Sequence, residues 1–348
     1  MIDKRNLNLI QVLRGVASLL VVLFHTTSLI KESIHLNFIG GFFLFGGAGV
    51  DIFFVLSGFI IAYSSQQLHY KNNSFTSFLK RRFVRVFPVY WVIITLLLAL
   101  QIMLPTFYNN QYNLNASNLL STFLLLPQHT MLNGVSWTLS YEIFFYILFS
   151  LSFLIPNKKV LTVISVLYLA IIILLPLMGF INHSSWYYFV FFPMNIEFFM
   201  GIAIAVFMKK ISLNLGKILV LLGTILFLCA GVLYNNDIAL VAGFFNRVIF
   251  FGVPSFFIIA GVVRLEQQKQ IKTNRILNSL GTASYSLYLI HLPIIAAFLK
   301  LTGKYFNQSA ILLHVFALFI IIFICVLSII FFNVIEKPLI KKLNSIIR

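Results

Sequence analysis

Long apolar runs separated by short polar segments make up most of the chain. Because lipid offers no hydrogen-bond partners, only helices and closed barrels cross a membrane, and barrel strands alternate in polarity instead of running continuously apolar. The pattern therefore predicts an all-α polytopic membrane protein, a bundle of about ten transmembrane helices of roughly 20 residues each. The ten windows are 8–30, 41–64, 86–104, 135–155, 160–178, 186–207, 218–234, 243–263, 282–299 and 310–332.

The composition excludes an ordinary soluble protein. Of the 348 residues, 60% are apolar and only 9% are charged, against a usual charged share of about a quarter. So few charged residues cannot cover a water-facing surface. The windows leave room only for loops, so we expect one transmembrane domain over residues 1–348, with no appended soluble domain.

The net charge of +17 first suggests nucleic acid as a partner, but the positions of the cations argue otherwise. With the N-terminus in the cytoplasm, 20 of the 25 Lys and Arg residues fall on the cytoplasmic side and three fall outside. This bias is the positive-inside rule, which excludes nucleic acid as the predicted partner and places both termini in the cytoplasm. Cys229 and Cys325 lie within apolar windows, so neither a disulfide framework nor a metal site is expected.

Ionisable residues inside the windows are the first functional candidates, because a charged group in hydrocarbon is costly. Polar groups also hold helices together, so a structural interpretation stands beside the functional one for each residue. One of them, Arg247, lies near the outer end of its window and is expected to extend its head group to the interface. The seven residues are Arg14, His25, Asp51, Glu142, Glu197, Arg247 and His291.

Arg14 and His25 are predicted to share one helix face. Eleven residues are close to three helical turns, and they separate the two along the axis by roughly 16.5 Å. Glu142 lies roughly 10 Å and His25 roughly 8 Å from the outer end of its window, so we expect carboxylate and imidazole to meet. Glu142 then orients His25 for general-base work. Asp51, nearer the midplane, is expected to serve the same pair or to brace Arg14.

Six motifs in order along the chain resemble the acyltransferase-3 family of integral-membrane acyltransferases. The resemblance runs from about Leu7 to Pro338, nearly the whole chain. A single motif of this kind is weakly specific. Six of them in the right order, on a chain with ten predicted spans, are a strong match. The matching elements are Leu13–Gly15 followed by His25, Gly49–Phe59, Arg81–Trp91, Ser136–Glu142, Ser284–His291 and Glu336–Pro338.

The resemblance implies a membrane O-acyltransferase that moves an acyl group, with acetyl as the first expectation, from acyl-CoA to a carbohydrate hydroxyl. The implied acceptor is a cell-surface or lipid-linked glycan such as O-antigen, capsule or exopolysaccharide, and the implied location is the bacterial inner membrane. Residue by residue, His25 corresponds to the essential histidine of the family. Arg14, Arg82 and Arg85 correspond to its basic positions that hold acyl-CoA.

The predicted site therefore has a catalytic group, His25, Glu142 and Asp51, and a donor-binding group, Arg14, Arg82 and Arg85. His25 either takes the proton of the acceptor hydroxyl or is itself acylated, and the sequence leaves both routes open. The basic cluster is also interpretable as a topology signal that contacts lipid headgroups. Two other function classes remain: a proton-coupled carrier or glycolipid translocase, and a membrane scaffold.

Overall fold

A computed structural model describes residues 7–66, 74–104, 112–128, 130–178, 185–237, 243–268, 273–302 and 310–347. Within these ranges every regular element is a helix and no strand occurs, which confirms the predicted all-α class. The ends of the chain, residues 1–6 and 348, lie outside the described residues, so the predicted cytoplasmic location of the termini stays a prediction.

The described part of the chain contains fifteen α-helices, some extended by short 3₁₀ or π segments. They are α1 Asn8–Ile34, α2 Gly49–Ser65, α3 Ser74–Met103, α4 Ala116–Leu124, α5 Trp137–Leu151, α6 Lys158–Leu177, α7 Ser185–Val190, α8 Asn195–Phe207, α9 Leu213–Asn235, α10 Phe244–Arg247, α11 Val253–Gln268, α12 Arg275–Thr282, α13 Ser284–Thr302, α14 Ala310–Phe331 and α15 Lys337–Ile347. The longer irregular segments are a 3₁₀ segment at Phe38–Ala48 and π segments at Val248–Gly252 and Phe332–Glu336.

Nine helical stretches in the described residues are long and apolar enough to cross a membrane. They correspond to nine of the ten predicted windows. The exception is window 186–207, which the structure divides between α7 and α8. Neither of these two helices has the roughly 20 residues that a span requires.

The break between α7 and α8 has a local cause in Pro193. Proline supplies no backbone N–H and disfavours helical geometry in the residue before it, so a helix tends to stop there. Asn195 then supplies hydrogen bonds to backbone carbonyls at the end of α7. Its Nδ2 donates to the carbonyl of Phe189 at 3.3 Å and to that of Val190 at 3.1 Å. The interruption is therefore a hydrogen-bonded turn within the bundle.

Helix α1, which carries Arg14 and His25, lies at the centre of the packing. It contacts α2, α11, α12, α13 and α14 and the segment Phe38–Ala48. Its first turn is capped from α11, because the Glu266 carboxylate accepts from Leu9 N at 2.7 Å and Ile10 N at 3.3 Å. Those N–H groups have no partner within the helix, so this distant carboxylate fixes where α1 begins.

Helices α2 and α8 approach closely at Gly58. A Cβ atom added there would lie 2.0 Å from the carbonyl oxygen of Phe198, so no larger residue fits without moving a helix. Small residues at helix contacts are the usual device for close packing in membranes. The contact brings Asp51 on α2 and Glu197 on α8 into the same part of the bundle.

Candidate active site

One cavity gathers four of the six predicted site residues. It lies between α1, α2, α3, α5 and α13. Arg14, Arg82, Arg85 and Glu142 all line it. The predicted donor group therefore converges from two helices on one space. Other polar residues on the wall are Ser57, Thr138, Tyr146, Ser284, Tyr285 and Tyr288.

Two of the three arginines of this cavity, Arg82 and Arg14, have neutral hydrogen-bond partners. Arg82 donates to Ser64 Oγ at 2.8 Å, and its guanidinium lies over the rings of Phe78 and Tyr146, 5.3 and 5.5 Å from their centroids. Arg14 donates to Gln11 Oε1 at 3.1 Å. Within the described residues, none of the three has a carboxylate oxygen within 4.0 Å. Three arginines against the single carboxylate of Glu142 give the cavity wall an excess of positive charge, which favours anions.

Arg85 differs from Arg82 in being exposed. It follows Arg82 by three residues on α3, so both point to the same side of that helix. Both side chains line the cavity. Each guanidinium group presents its N–H donors as a planar fork that can bind two phosphate oxygens at once.

Glu142 does not pair with His25 as the sequence suggested. Ser57 donates to Glu142 Oε1 at 3.2 Å, and the Tyr146 hydroxyl donates to the same oxygen. Counting residues from the window ends gave the two side chains similar depths, but depth does not determine the direction in which each helix faces. Helix α5 presents Glu142 to α2 and to the arginine-lined cavity.

His25 lies against a different residue, His291 on α13. The ring centroids are 5.2 Å apart, and on its other side His25 contacts Phe24 at 4.8 Å. His25 is half-buried, whereas His291 is fully buried. Tyr288 lies one turn before His291, 5.8 Å from it between ring centroids, and it lines the cavity. The histidine pair is therefore connected to the cavity wall through Tyr288.

Asp51 forms an ion pair with Arg247 and is not free to serve His25 or Arg14. Arg247 Nε donates to the two carboxylate oxygens at 3.1 and 3.0 Å, and Nη2 donates to Oδ2 at 2.7 Å. Nη2 also donates to the carbonyl of Gly47 at 2.6 Å. Asp51 is fully buried. The expectation that Arg247 extends to the interface was wrong, because the distance of a residue from a window end does not reveal a carboxylate on a neighbouring helix.

Glu197 lies within electrostatic range of this ion pair and is fully buried. Gly252, in the π segment Val248–Gly252, makes room for it, since a Cβ there would lie 2.6 Å from Glu197 Oε1. Glu197 was a candidate from its position in a predicted window, but this neighbourhood could not be predicted. Asp51, Arg247 and Glu197 thus form a second buried cluster of ionisable residues outside the arginine-lined cavity.

Sequence reasoning missed several polar residues of the site. Ser57 lies within the motif Gly49–Phe59 without a predicted role of its own. Tyr146 has no predicted role either, although its position four residues after Glu142 on a helix is a contact spacing. Glu336, inside the last motif, accepts a hydrogen bond from Ser286 and is within electrostatic range of Arg14.

In the described ranges no group of three or more His, Cys, Asp or Glu residues is arranged to hold a metal ion.

Comparison with known proteins points to one family. The family model described as an acyltransferase domain matches residues 7–332. The exopolysaccharide production protein ExoZ of Rhizobium meliloti (strain 1021) is 29% identical over 262 residues, which cover 72% of this chain and 77% of that protein. The acyltransferase MdmB of Streptomyces mycarofaciens is 32% identical over 121 residues, covering 32% of this chain and 30% of that protein.

A third relative is similar over a comparable stretch. Nodulation protein 10 of Rhizobium leguminosarum bv. viciae is 32% identical over 122 residues, which cover 30% of this chain and 32% of that protein. No solved structure matches this chain.

The Asp51–Arg247 pair gives a prediction about stability. Removing one partner of a buried ion pair leaves the other charge uncompensated, which costs about 3 to 5 kcal/mol. We expect Arg247→Leu to be the most damaging change, because Asp51 then lies beside Glu197 without a cation. Asp51→Leu should cost less, and the double variant Asp51→Leu/Arg247→Leu should recover part of the loss. Thermal unfolding midpoints in detergent test this order, and purely additive effects would contradict the coupling.

Proposed function

This chain belongs to the acyltransferase-3 family and is an acyltransferase, and on that premise we propose that it transfers an acyl group from cytoplasmic acyl-CoA to a carbohydrate hydroxyl. The acceptor class is a cell-surface or lipid-linked glycan. A relative that covers most of this chain carries exopolysaccharide production in its name, which supports a polysaccharide acceptor. Acetyl is the acyl group we propose to test first.

The arginine-lined cavity carries the proposal. Acyl-CoA is an anion with several phosphate groups on a long, flexible arm. Arg14, Arg82 and Arg85 line one cavity and, in the described residues, have no carboxylate within 4.0 Å. Guanidinium groups that do not contact a carboxylate keep their N–H donors available for paired hydrogen bonds to phosphate oxygens. We assign these three residues to the donor phosphates.

The positive-inside bias gives the direction of the reaction. Arg82 and Arg85 belong to the basic start of α3, which the positive-inside rule predicts to be cytoplasmic. The membrane we propose is the bacterial inner membrane. The cavity runs from these arginines to Thr138 and Tyr288, and α5 enters the membrane near Thr138 from the opposite face. Donor phosphates at one end and the acyl group at the other end are consistent with transfer toward the outside.

The chemical step we propose uses His25 as the general base. Its imidazole takes the proton of the acceptor hydroxyl as the oxygen bonds to the thioester carbonyl carbon. The carbon–sulfur bond then breaks, and the CoA thiolate leaves with the proton that His25 returns. Positioned proton transfer of this kind contributes about 10² to 10⁴-fold to a rate.

Glu142 and Asp51 act in this scheme as positioning residues. Glu142 receives hydrogen bonds from Ser57 and Tyr146, and Tyr146 in turn lies under the guanidinium of Arg82. Glu142 therefore orders the wall that holds the donor. Asp51 holds Arg247, and through it the Gly47 carbonyl at the start of α2. Neither carboxylate needs to contact the reacting atoms.

Acyl transfer by purified protein tests the proposed activity. Protein in liposomes is supplied with radiolabelled acetyl-CoA and candidate glycans, and label on the glycan is measured. We expect His25→Ala to lower transfer by about 100-fold or more, the scale of lost general-base catalysis. The matched control is His35→Ala, which replaces an exposed histidine just past the end of α1. Glycan movement across the membrane without acyl-CoA, and no label transfer, would contradict the proposal in favour of a carrier.

The proposed donor site predicts that neighbouring arginines of α3 differ in their effect on the KM for acyl-CoA. Each charge-assisted hydrogen bond contributes about 1.5 to 3 kcal/mol, so Arg82→Ala with Arg85→Ala should raise KM for acyl-CoA about 10-fold or more. Arg81→Ala is the matched control, because Arg81 is exposed, donates to the Ser77 carbonyl at 3.0 Å and does not line the cavity. Steady-state kinetics and the yield of folded protein are measured together. If the double variant loses folded protein but keeps its KM, the donor-site role is contradicted and the cluster serves as a topology signal instead.

Substitutions of Glu142 test whether its carboxylate accepts the observed hydrogen bonds or pairs with His25 as the sequence suggested. Both donors bond to Oε1, an atom that glutamine retains, so Glu142→Gln should keep kcat within about 3-fold. Glu142→Leu removes the acceptor and should lower activity further. If the carboxylate instead stabilised the His25 imidazolium, glutamine could not replace it. A fall of about 100-fold in kcat for Glu142→Gln would therefore contradict the role assigned here.

A further inference from the structure

A second histidine, His291, has contacts that no step described so far explains. It lies on α13, is fully buried, and faces His25 with a centroid separation of 5.2 Å and an angle of 43° between the ring planes. Two imidazoles at this distance and tilt can bring one nitrogen of each ring together with small side-chain rotations. His25, which is half-buried, has more room to rotate than His291.

The hydrogen bonds of His291 fix the roles of its two nitrogens. Its Nδ1 lies 3.1 Å from the carbonyl oxygen of Leu287. A carbonyl only accepts, so we assign the proton to Nδ1, which leaves a lone pair on Nε2. Nε2 is buried and has no hydrogen-bond partner among the described residues.

An unsatisfied acceptor in the interior costs free energy and calls for an explanation in a native protein. The ring of His25 lies 5.2 Å from that of His291 between centroids, and it carries an N–H that can be turned toward this acceptor. Hydrogen bonds of catalytic groups are often long without substrate and tighten in the reacting complex. A hydrogen bond from His25 would satisfy the buried acceptor on His291.

We propose that His291 is the positioning residue of His25: its Nε2 accepts a hydrogen bond from one N–H of His25. That bond fixes the tautomer of His25 and leaves the other nitrogen free to take the hydroxyl proton. When His25 becomes an imidazolium, the same N–H is a stronger donor and the bond shortens. The proposal rests on the proposed function, and it puts a neutral imidazole where the sequence suggested the carboxylate of Glu142.

The link to the cavity supports this arrangement. Tyr288 lines the cavity, lies 5.8 Å from His291 between ring centroids, and exchanges a hydrogen bond of 2.7 Å with Thr138 Oγ1. One turn of α13 therefore carries both a residue of the cavity wall and the partner of His25. A donor whose acyl end reaches Tyr288 is brought next to the histidine pair.

Two substitutions of His291 separate positioning from packing. Leucine removes the acceptor, whereas glutamine offers an amide oxygen at similar reach. We expect His291→Leu to lower kcat about 100-fold and His291→Gln to restore it to within about 10-fold of the wild type. KM for acyl-CoA should change less than about 3-fold in both, because the donor phosphates bind at the arginines. His314→Leu, in a histidine of α14 that contacts Phe38, is the matched control and should keep its kcat.

The outcomes distinguish this proposal from the proposed function. If the wild type transfers no label, the proposed function fails before His291 is tested. If the wild type is active and a folded His291→Leu keeps its kcat, or if leucine and glutamine lower kcat equally, the positioning role is overturned. If His291→Leu does not fold, His291→Asn takes its place, because the shorter amide cannot reach His25. The proposal is then overturned if the kcat of His291→Gln does not exceed that of His291→Asn.

Discussion

The high cost of an unpaired charge away from water is the constraint on which this structure depends. The protein meets it in two ways. Asp51 and Arg247 neutralise each other inside the bundle, and the Gly47 carbonyl takes a further N–H of the arginine. Arg14 and Arg82 instead face a cavity with only neutral partners at hydrogen-bond distance. The first arrangement is complete within the protein. In the proposed function the phosphates of the donor complete the second, and on that proposal the difference separates structural charges from those that bind a ligand.

Helix α1 connects the two halves of the proposed reaction. It carries Arg14 at the cavity and His25 at the histidine pair, and eleven residues of helix fix their separation at roughly 16.5 Å. Its start is set by the Glu266 carboxylate, and its path is set by five neighbouring helices. A donor held at Arg14 must therefore span a constant distance to place its reactive carbon near His25. A long arm between phosphate and thioester meets that requirement, which a compact acyl donor does not.

Much of the fold could be predicted from hydrophobic pattern, because lipid imposes a length on every span. The pattern failed at window 186–207, where Pro193 interrupts an otherwise apolar run and a side-chain hydrogen bond closes the turn. The cavity residues could be predicted from motif positions on α1, α3 and α5. Their partners could not, since residue number fixes depth along a helix but not the direction that a helix presents to its neighbours. Glu142 and Arg247 were both assigned the wrong surroundings for that reason.

A neutral partner for His25 is compatible with general-base chemistry, as is the carboxylate that the sequence suggested. A carboxylate beside an imidazole stabilises the imidazolium that forms when the hydroxyl proton is taken, but it brings a permanent charge. An imidazole partner orients His25 without adding a permanent charge to a region of low dielectric, where such a charge needs compensation. The positive charge on His25 then exists only while the proton is in transit between the hydroxyl and the departing thiolate. Placing Glu142 at the arginines and His291 at His25 keeps the lasting charges near the donor phosphates and leaves the base neutral between turnovers.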